Sequence, residues 1–359
     1  MRLRVKEEAS SLYATIRSYA LRGKLLSYKN LAELAEALSL DDLVNKLKLL
    51  PYKDALASLE APYSARDIEK ALITDLAKLH LSLAKASGSK LLFAYYRKYR
   101  ALNIKGIVRA VLMNKGFEEI KELVNLDIEA LVGTRDRILK LMQARSLDEC
   151  VEASSGDEFF PEIRLLQQLN RAGQALDPQL LDVIIERAVM RDIAVNLFED
   201  EGRKYLNLAG FELDSYNLMA LLRGKSSNLP QGRLRELVVR PGYRLDAATI
   251  NRIIAAPDLE DAIRAVRGSV FAGLIARLPQ GQNPIEAIEA VLREELLKRA
   301  RGTFAWRALG EECILAIILL KQEEVRLLSG LVWAVQERVP AKTIADTLLS
   351  HIKRVEEAR

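Results

Sequence analysis

One short segment contains the residue types of a phosphate-binding loop. Gly224-Lys225-Ser226 resembles the end of such a loop, in which backbone amides and a lysine surround nucleotide phosphates. The full motif places another glycine five residues before the Gly-Lys pair, but that position is Met219, inside a predicted helix. No strand is predicted to lead into the segment. The sequence therefore argues against nucleotide binding, and we expect no cofactor.

The residues that could bind a metal or act as nucleophile and base are few. The chain has two cysteines, Cys150 and Cys313, and two histidines, His80 and His351. Their scatter offers no ligand cluster typical of structural zinc, and neither histidine lies in a recognisable catalytic context. We predict no metal site and no catalytic activity. The open alternative is an enzyme that uses carboxylates at a domain junction, which an ordered polar pocket with perturbed acids would favour.

Composition excludes several classes of function. Half of the 359 residues are hydrophobic, which is enough for one or more large cores. The net charge of +5 comes from 54 basic against 49 acidic residues without a cationic block, so nucleic acid is not expected as a partner. The start has no apolar signal segment, and the longest apolar run, Cys313 to Leu320, would span only about 12 Å as a helix. We expect a cytoplasmic protein that does not cross a membrane.

The hydrophobic pattern predicts an all-α fold. Apolar residues recur at helical spacing, for example from Ile104 to Leu112, as in a buried helix face. Two Arg-Gly-Lys sequences, at Arg22 and Arg223, are predicted to end helices, because glycine readily adopts the left-handed conformation and cations favour helix C-termini. Capping residues before apolar runs predict helix starts.

These helix signals recur in one order and indicate duplication. Asn217 is followed six residues later by Arg223, Asn103 by Arg109, and Tyr19 precedes a similar ending. The order of arginine, first cap and second cap runs 22, 39, 67, then 109, 146, 177, then 223, 258, 283. We predict three related helical domains of about a hundred residues each. Their boundaries are 1–101, 102–213 and 214–323, and residues 324–359 form a half repeat that closes a ring against the first domain.

An acidic residue, two intervening residues and Asn, followed six residues later by Arg, resembles the pattern of the C subunit of archaeal-type rotary ATP synthases and of its vacuolar counterpart, the d subunit. The similarity covers nearly the whole chain, including Tyr19 to Leu26, Tyr96 to Arg109, Tyr205 to Lys225 and Lys321 to Arg326. The resemblance implies three pseudo-equivalent helical domains arranged as a closed funnel with pseudo-threefold symmetry. It also implies a subunit without an active site.

The resemblance implies a mechanical role. Such a subunit sits on the membrane rotor ring, receives the central shaft, and couples proton or sodium flow to ATP synthesis or hydrolysis. The implied partners are shaft and ring subunits, with no small-molecule substrate, and the implied location is the cytoplasmic face of the membrane. A generic helical-repeat adaptor is the alternative, although solenoid repeats are usually shorter and more numerous.

The resemblance also suggests site residues. Its pattern carries over to Asp214, Asn217, Arg223, Asn103 and Arg109. These residues either line the socket that receives the central shaft or hold helices together. The pattern is broken at three positions, where Arg100 replaces the acid, Leu327 the asparagine and Trp333 the arginine.

Large residues near helix breaks are candidate anchors for the shaft or the ring. Their common feature is predicted exposure, with an ordinary core or rim position as the alternative for each; they are Tyr243, Arg244, Phe304, Trp306 and Arg307.

Overall fold

The computed structural model describes residues 2–276, 278, 283–306 and 310–349. The first ten helices are α1 (Arg2–Arg22), α2 (Tyr28–Ala35), α3 (Leu40–Lys48), α4 (Ala65–Ser87), α5 (Lys90–Leu112), α6 (Phe117–Leu123), α7 (Leu126–Ala130), α8 (Arg135–Leu141), α9 (Leu147–Ala153) and α10 (Phe160–Arg171). The next three are α11 (Pro178–Leu197), α12 (Phe211–Ser226) and α13 (Gln231–Leu237). The last six are α14 (Ala247–Ala255), α15 (Leu259–Val266), α16 (Ala272–Ile275), α17 (Pro284–Trp306), α18 (Glu312–Gln336) and α19 (Ala341–Thr347).

The all-α prediction is confirmed. A 3₁₀ turn, Gly202–Tyr205, and a π-helical turn, Leu206–Gly210, lead directly into α12. Across the described ranges there is no β-strand. None of the helices within those ranges is long and apolar enough to span a membrane.

The chain forms two compact units. One contains Met1–Gly88 together with Ala300–Arg359, and the other contains Ser89–Arg299. In the first unit, α18 packs against α1 and α4, so helices from both ends of the chain share one core. In the second unit, α11 packs between α5 and α12. The apolar run of α18 from Cys313 to Leu320 is buried throughout, as expected for a core helix.

The predicted helix starts are confirmed. The side chains of Ser39, Ser146 and Asp258 each accept a hydrogen bond from the backbone N–H three residues later, at 3.2, 3.2 and 2.8 Å. The second set behaves in the same way: Ser64 caps α4, Asp177 caps α11, and Asn283 accepts from the N–H of Ile285 at 3.1 Å. Each bond satisfies an amide that has no partner within the helix.

The first Arg-Gly-Lys ends a helix as predicted, since α1 stops at Arg22. The prediction that a left-handed glycine makes this end is wrong at both positions. Gly224 lies inside α12, which continues to Ser226, and neither Gly224 nor Gly23 has a positive φ. A Cβ atom at Gly224 would lie 2.5 Å from Leu234 Cδ2, so glycine is needed for the close approach of α13. Here the requirement for packing, not a turn, explains the glycine.

Among the described residues, the left-handed residues other than glycine come two positions after the ends of α5, α12 and α18. They are Asn114, Asn228 and Arg338, with φ of 55°, 55° and 54°. In each case the following N–H donates to a carbonyl five residues back at 2.9 Å, from Lys115 to Ala110, from Leu229 to Gly224, and from Val339 to Ala334. The three long helices therefore end in the same way.

Candidate protein-interaction site

Asn217 and Asn103 are buried and make the same pair of hydrogen bonds. Asn217 Nδ2 donates to Val239 O at 3.0 Å, and Val239 N–H donates to Asn217 Oδ1 at 2.8 Å. Asn103 repeats this exchange with the backbone of Asn125 at 3.0 and 2.8 Å. Both pairs are separated by 22 residues. A carboxamide donates through Nδ2 and accepts through Oδ1, so one side chain can bond to both the C=O and the N–H of the same residue.

Asp214 fixes the backbone of the segment that precedes α14. Its carboxylate accepts hydrogen bonds from the N–H groups of Tyr243, Arg244 and Leu245 at 2.8, 2.6 and 3.0 Å. The side chain is buried, and this burial raises the pKa of Asp214 while the three donors oppose the rise. Asp214 therefore fixes the position of the backbone that carries the Tyr243 and Arg244 side chains.

Arg100 occupies the position equivalent to Asp214 with the opposite charge. It is buried in the second unit, where Nε donates to Glu129 Oε2 at 2.9 Å and Nη2 to Asp157 Oδ2 at 2.9 Å. Nη1 also donates to Glu158. The pKa of Arg100 is raised because these acids outweigh the effect of its burial. The acids lie about thirty and sixty residues further along the chain, so sequence spacing alone offered no reason to pair them with Arg100.

The position six residues after the asparagine position bonds to a carboxylate on a second long helix in all three cases. Arg109 of α5 pairs with Asp182 of α11, and Arg223 of α12 pairs with Glu289 of α17, with Nη2 2.7 Å from Oε2. On α18 the equivalent residue is Trp333.

The Trp333 indole Nε1–H donates to Glu69 Oε2 on α4 at 3.0 Å. The tryptophan therefore retains the contact that the arginine makes elsewhere. The sequence showed this position only as a departure from the pattern, because an indole is not an ionic partner. By contrast, the Arg22 guanidinium at the end of α1 lies 5.1 Å from the centroid of the Phe304 ring.

Glu324 on α18 is equivalent to Asp214 and likewise accepts from a backbone amide. Leu26 N–H donates to Glu324 Oε2 at 2.6 Å, and the Tyr52 hydroxyl and the Lys321 ammonium both donate to Oε1. Burial is the largest cause that raises the pKa of Tyr52. Because Leu26 and Tyr52 belong to the N-terminal part of the chain, this cluster joins both chain ends within the first unit.

Of the predicted anchors, Tyr243 and Arg244 lie at a surface cavity. Arg244 is exposed, and its guanidinium lies over the Tyr243 ring at 5.1 Å from the centroid. The cavity has a volume of about 320 Å³ and is also lined by Phe211, Lys298 and Arg299. The structure thus brings these two predicted residues to one site that contains other cations.

The expected exposure of Phe304 is wrong. Phe304 is buried, and its ring packs edge-on against Tyr19 with centroids 5.1 Å apart. It belongs to the first unit, where its apolar ring gains more from contact with Tyr19 than from exposure to water. Trp306 is the last residue of α17 but its side chain lies outside the described part, and Arg307 lies outside the described residues altogether.

The cavity suits the binding of an anion better than acid–base chemistry. Its two acids are already engaged, Asp214 with three backbone amides and Glu295 with Arg299 at 2.9 Å. Within the described ranges no group of three or more histidine, cysteine or acidic side chains is arranged to hold a metal ion. His80, Cys150 and Cys313 are all buried.

The described residues form an all-α protein in which several long helices end alike and are joined by buried hydrogen bonds and ion pairs. A cavity lined by several cations lies at its surface. The chain belongs to the ATP synthase (C/AC39) subunit family, whose sequence profile matches residues 14–347. It is similar to the C subunit of the A-type ATP synthase of Pyrococcus abyssi, with 24% identity over 341 residues that cover 93% of this chain and 89% of the relative. The corresponding protein of Methanocaldococcus jannaschii is 23% identical over 355 residues, covering 94% and 86%.

Proposed function

We propose that this chain is the non-catalytic central-stalk subunit of a rotary ATP synthase, which joins the membrane rotor ring to the central shaft. In this role it turns with the rotor at the cytoplasmic face of the membrane and transmits torque between ion flow and the catalytic head. Its partners are the shaft and ring subunits. The family membership and the relatives, which are C subunits of A-type ATP synthases, support this assignment.

The observation that carries the proposal is the threefold recurrence of one helix design. The long helices α5, α12 and α18 are each followed by a left-handed residue. In each helix, the residue six positions after the asparagine position bonds to a carboxylate on another long helix. This supports three related modules, with boundaries at residues 101, 213 and 323, closed into a pseudo-threefold funnel by residues 324–359. The unit that joins both chain ends supports the closure.

A coupling subunit has to keep its shape under load, and the buried links are suited to this. Buried polar groups that are fully bonded hold helices in one register, because any sliding leaves them without a partner. Arg100, Asn103, Asp214, Asn217 and Glu324 are all of this kind. Their hydrogen bonds and ion pairs stabilise one arrangement of the helices, as a subunit that transmits torque requires.

Purification of the chain from native membranes tests the proposal. A tagged copy expressed in the source organism is extracted in mild detergent and its partners are identified by mass spectrometry. We expect co-purification with a rotor ring, shaft subunits and catalytic subunits in fixed ratio. Recovery of the chain with other proteins and no ATPase subunits would contradict the proposal and favour an adaptor.

A further inference from the structure

We propose that the cavity beside Tyr243 and Arg244 binds a carboxylate side chain, flanked by an apolar residue, of a protein partner. This inference rests on the proposed function, since it names how one surface of the subunit holds a neighbour in the rotary complex. The cavity of about 320 Å³ lies within the second compact unit. Its volume lies at the lower end of the range for ligand pockets and is large enough for one or two side chains of a partner.

The charges of the lining residues leave two cations available. Asp214 and Glu295 are engaged as described, and Arg299 is held by Glu295 and by the face of Phe211, 4.2 Å from the ring centroid. Arg244 and Lys298 are both exposed, and neither side chain makes a hydrogen bond or salt bridge with another residue in the described ranges. An acidic group of a partner at the cavity could form ion pairs with both Arg244 and Lys298.

The Arg244 guanidinium is held in place before any partner binds. Asp214 fixes the backbone amides of Tyr243 and Arg244, and the Tyr243 ring packs on Gly210 so closely that a Cβ atom there would lie 2.6 Å from it. Arg244 in turn stacks on Tyr243. A planar guanidinium held on an aromatic ring favours two-point bonding to a carboxylate, and its restricted motion reduces the entropy lost on binding.

The cavity is also lined by apolar residues, among them Phe211, Phe271 and Val270. Phe211 and Phe271 pack with ring centroids 5.9 Å apart, and Val270 beside them is 54% exposed. A partner segment with an apolar residue next to its acid would cover Val270 while its carboxylate reached Arg244 and Lys298. An anionic lipid surface fits less well, because lipid recognition usually takes about four to eight clustered cations.

Charge reversal tests the site in the assembled complex. The Kd of the labelled chain is measured for purified rotary complex from which the native subunit has been removed. We expect Arg244→Glu with Lys298→Glu to weaken binding at least about tenfold, because the reversed charges would repel the partner's carboxylate instead of attracting it. The matched control is Arg137→Glu with Lys140→Glu, two exposed cations of α8 away from the cavity. We expect its Kd to stay within about twofold of wild type, because neither side chain lines the cavity.

Two further variants separate binding from folding. Gly210→Ala displaces Tyr243 and is expected to weaken binding, with helix content and melting temperature checked for each variant. A zero-length carbodiimide should join Lys298 Nζ to a partner carboxylate as an amide with loss of water, and Lys298→Arg should abolish this cross-link while binding is retained.

The outcomes distinguish this inference from the proposed function. Wild-type chain that does not bind the depleted complex contradicts both. Wild-type binding with equal Kd for both double variants, or no cross-link at Lys298, overturns the carboxylate site and leaves the proposed function standing. Equal weakening by the cavity and control variants would show a general charge effect, which also overturns the site.

Discussion

Asn217 of α12 and the backbone of Val239 exchange two hydrogen bonds, of 3.0 and 2.8 Å. Asn103 makes the same exchange with Asn125. Each bond replaces water on a buried backbone group, so one side chain satisfies a donor and an acceptor that the helices leave unpaired. The repeated exchange shows that α5 and α12 each bond in the same way to a backbone segment 22 residues further along the chain.

Replacing Asn217 by aspartate keeps the shape of the side chain and removes the donor to Val239 O. The new carboxylate would face a carbonyl oxygen in a buried site, and we expect a loss of roughly 2–4 kcal/mol in the free energy of unfolding. Urea unfolding followed by circular dichroism measures the loss. The exposed Asn170→Asp is the control and should change stability little; an equal effect of both variants would show that charge alone is responsible.

Arg100 balances three acids, two of them nearly buried, so removing it should be severe. Arg100→Met keeps the packing volume and leaves Glu129 and Asp157 without their cation. We expect a loss of about 3–5 kcal/mol, as found when one partner of a buried ion pair is removed. Introducing Glu129→Gln into Arg100→Met should recover part of the loss in urea unfolding. Additive effects of the two substitutions would contradict a direct coupling.

We expect the protein to tolerate arginine at position 333, because the equivalent positions in α5 and α12 carry arginine. Trp333→Arg can restore an ionic contact with Glu69, whereas Trp333→Ala loses both the contact and the ring. We expect Trp333→Ala to cost roughly 2–4 kcal/mol and Trp333→Arg about half as much. Thermal unfolding of both variants, with and without Glu69→Gln, measures the contact. The equivalence of the three positions would be contradicted if arginine proved more damaging than alanine.

Both cysteines should be unreactive in the folded protein. Burial raises the pKa of Cys150 to about 12 and also raises the pKa of Cys313. Since the thiolate is the reactive form, native protein at pH 8 should react with a thiol reagent many times more slowly than unfolded protein. Cys150→Ser assigns any residual reaction to Cys313. Rapid native labelling at either thiol would contradict this prediction.

The ionised Asp246 side chain should stabilise the folded protein at neutral pH, and this contribution should be lost at acidic pH. As the cap of α14 it accepts from the Thr249 amide at 2.7 Å, and this hydrogen bond lowers the pKa of Asp246. The folded protein therefore holds this proton less readily than the unfolded chain. The resulting stability is present at neutral pH and is lost as the pH falls through the lowered pKa. The difference in melting temperature between wild type and Asp246→Asn should shrink below about pH 4. A constant difference would show that the charge does not matter.

The sequence identified the helices and their starts better than it identified the links between them. Apolar periodicity and caps such as Ser39 depend on local spacing, which the sequence contains directly. The role of Gly224 in α12 was predicted wrongly, because this glycine is required by Leu234 on another helix and that contact is not local. The partners of Arg100 and the role of Glu69 were missed for the same reason.

The candidate site was found in part. Tyr243 and Arg244 follow a helix break, which favours exposure, but their fixed position depends on Asp214 and Gly210 about thirty residues earlier. Phe304 shares the same kind of sequence position and is buried by Tyr19. Proximity to a break therefore predicts neither burial nor exposure until the packing of distant helices is known.

Rotation of the subunit tests the proposed coupling role most directly. A single cysteine in place of the exposed Lys121 carries a bead, and the buried native thiols leave this label specific. The assembled ATPase is fixed to glass through its catalytic head and supplied with ATP. We predict that the bead turns with the rotor at the rate set by ATP hydrolysis. A bead that stays still while the same complexes hydrolyse ATP and their shaft turns would contradict the proposed role.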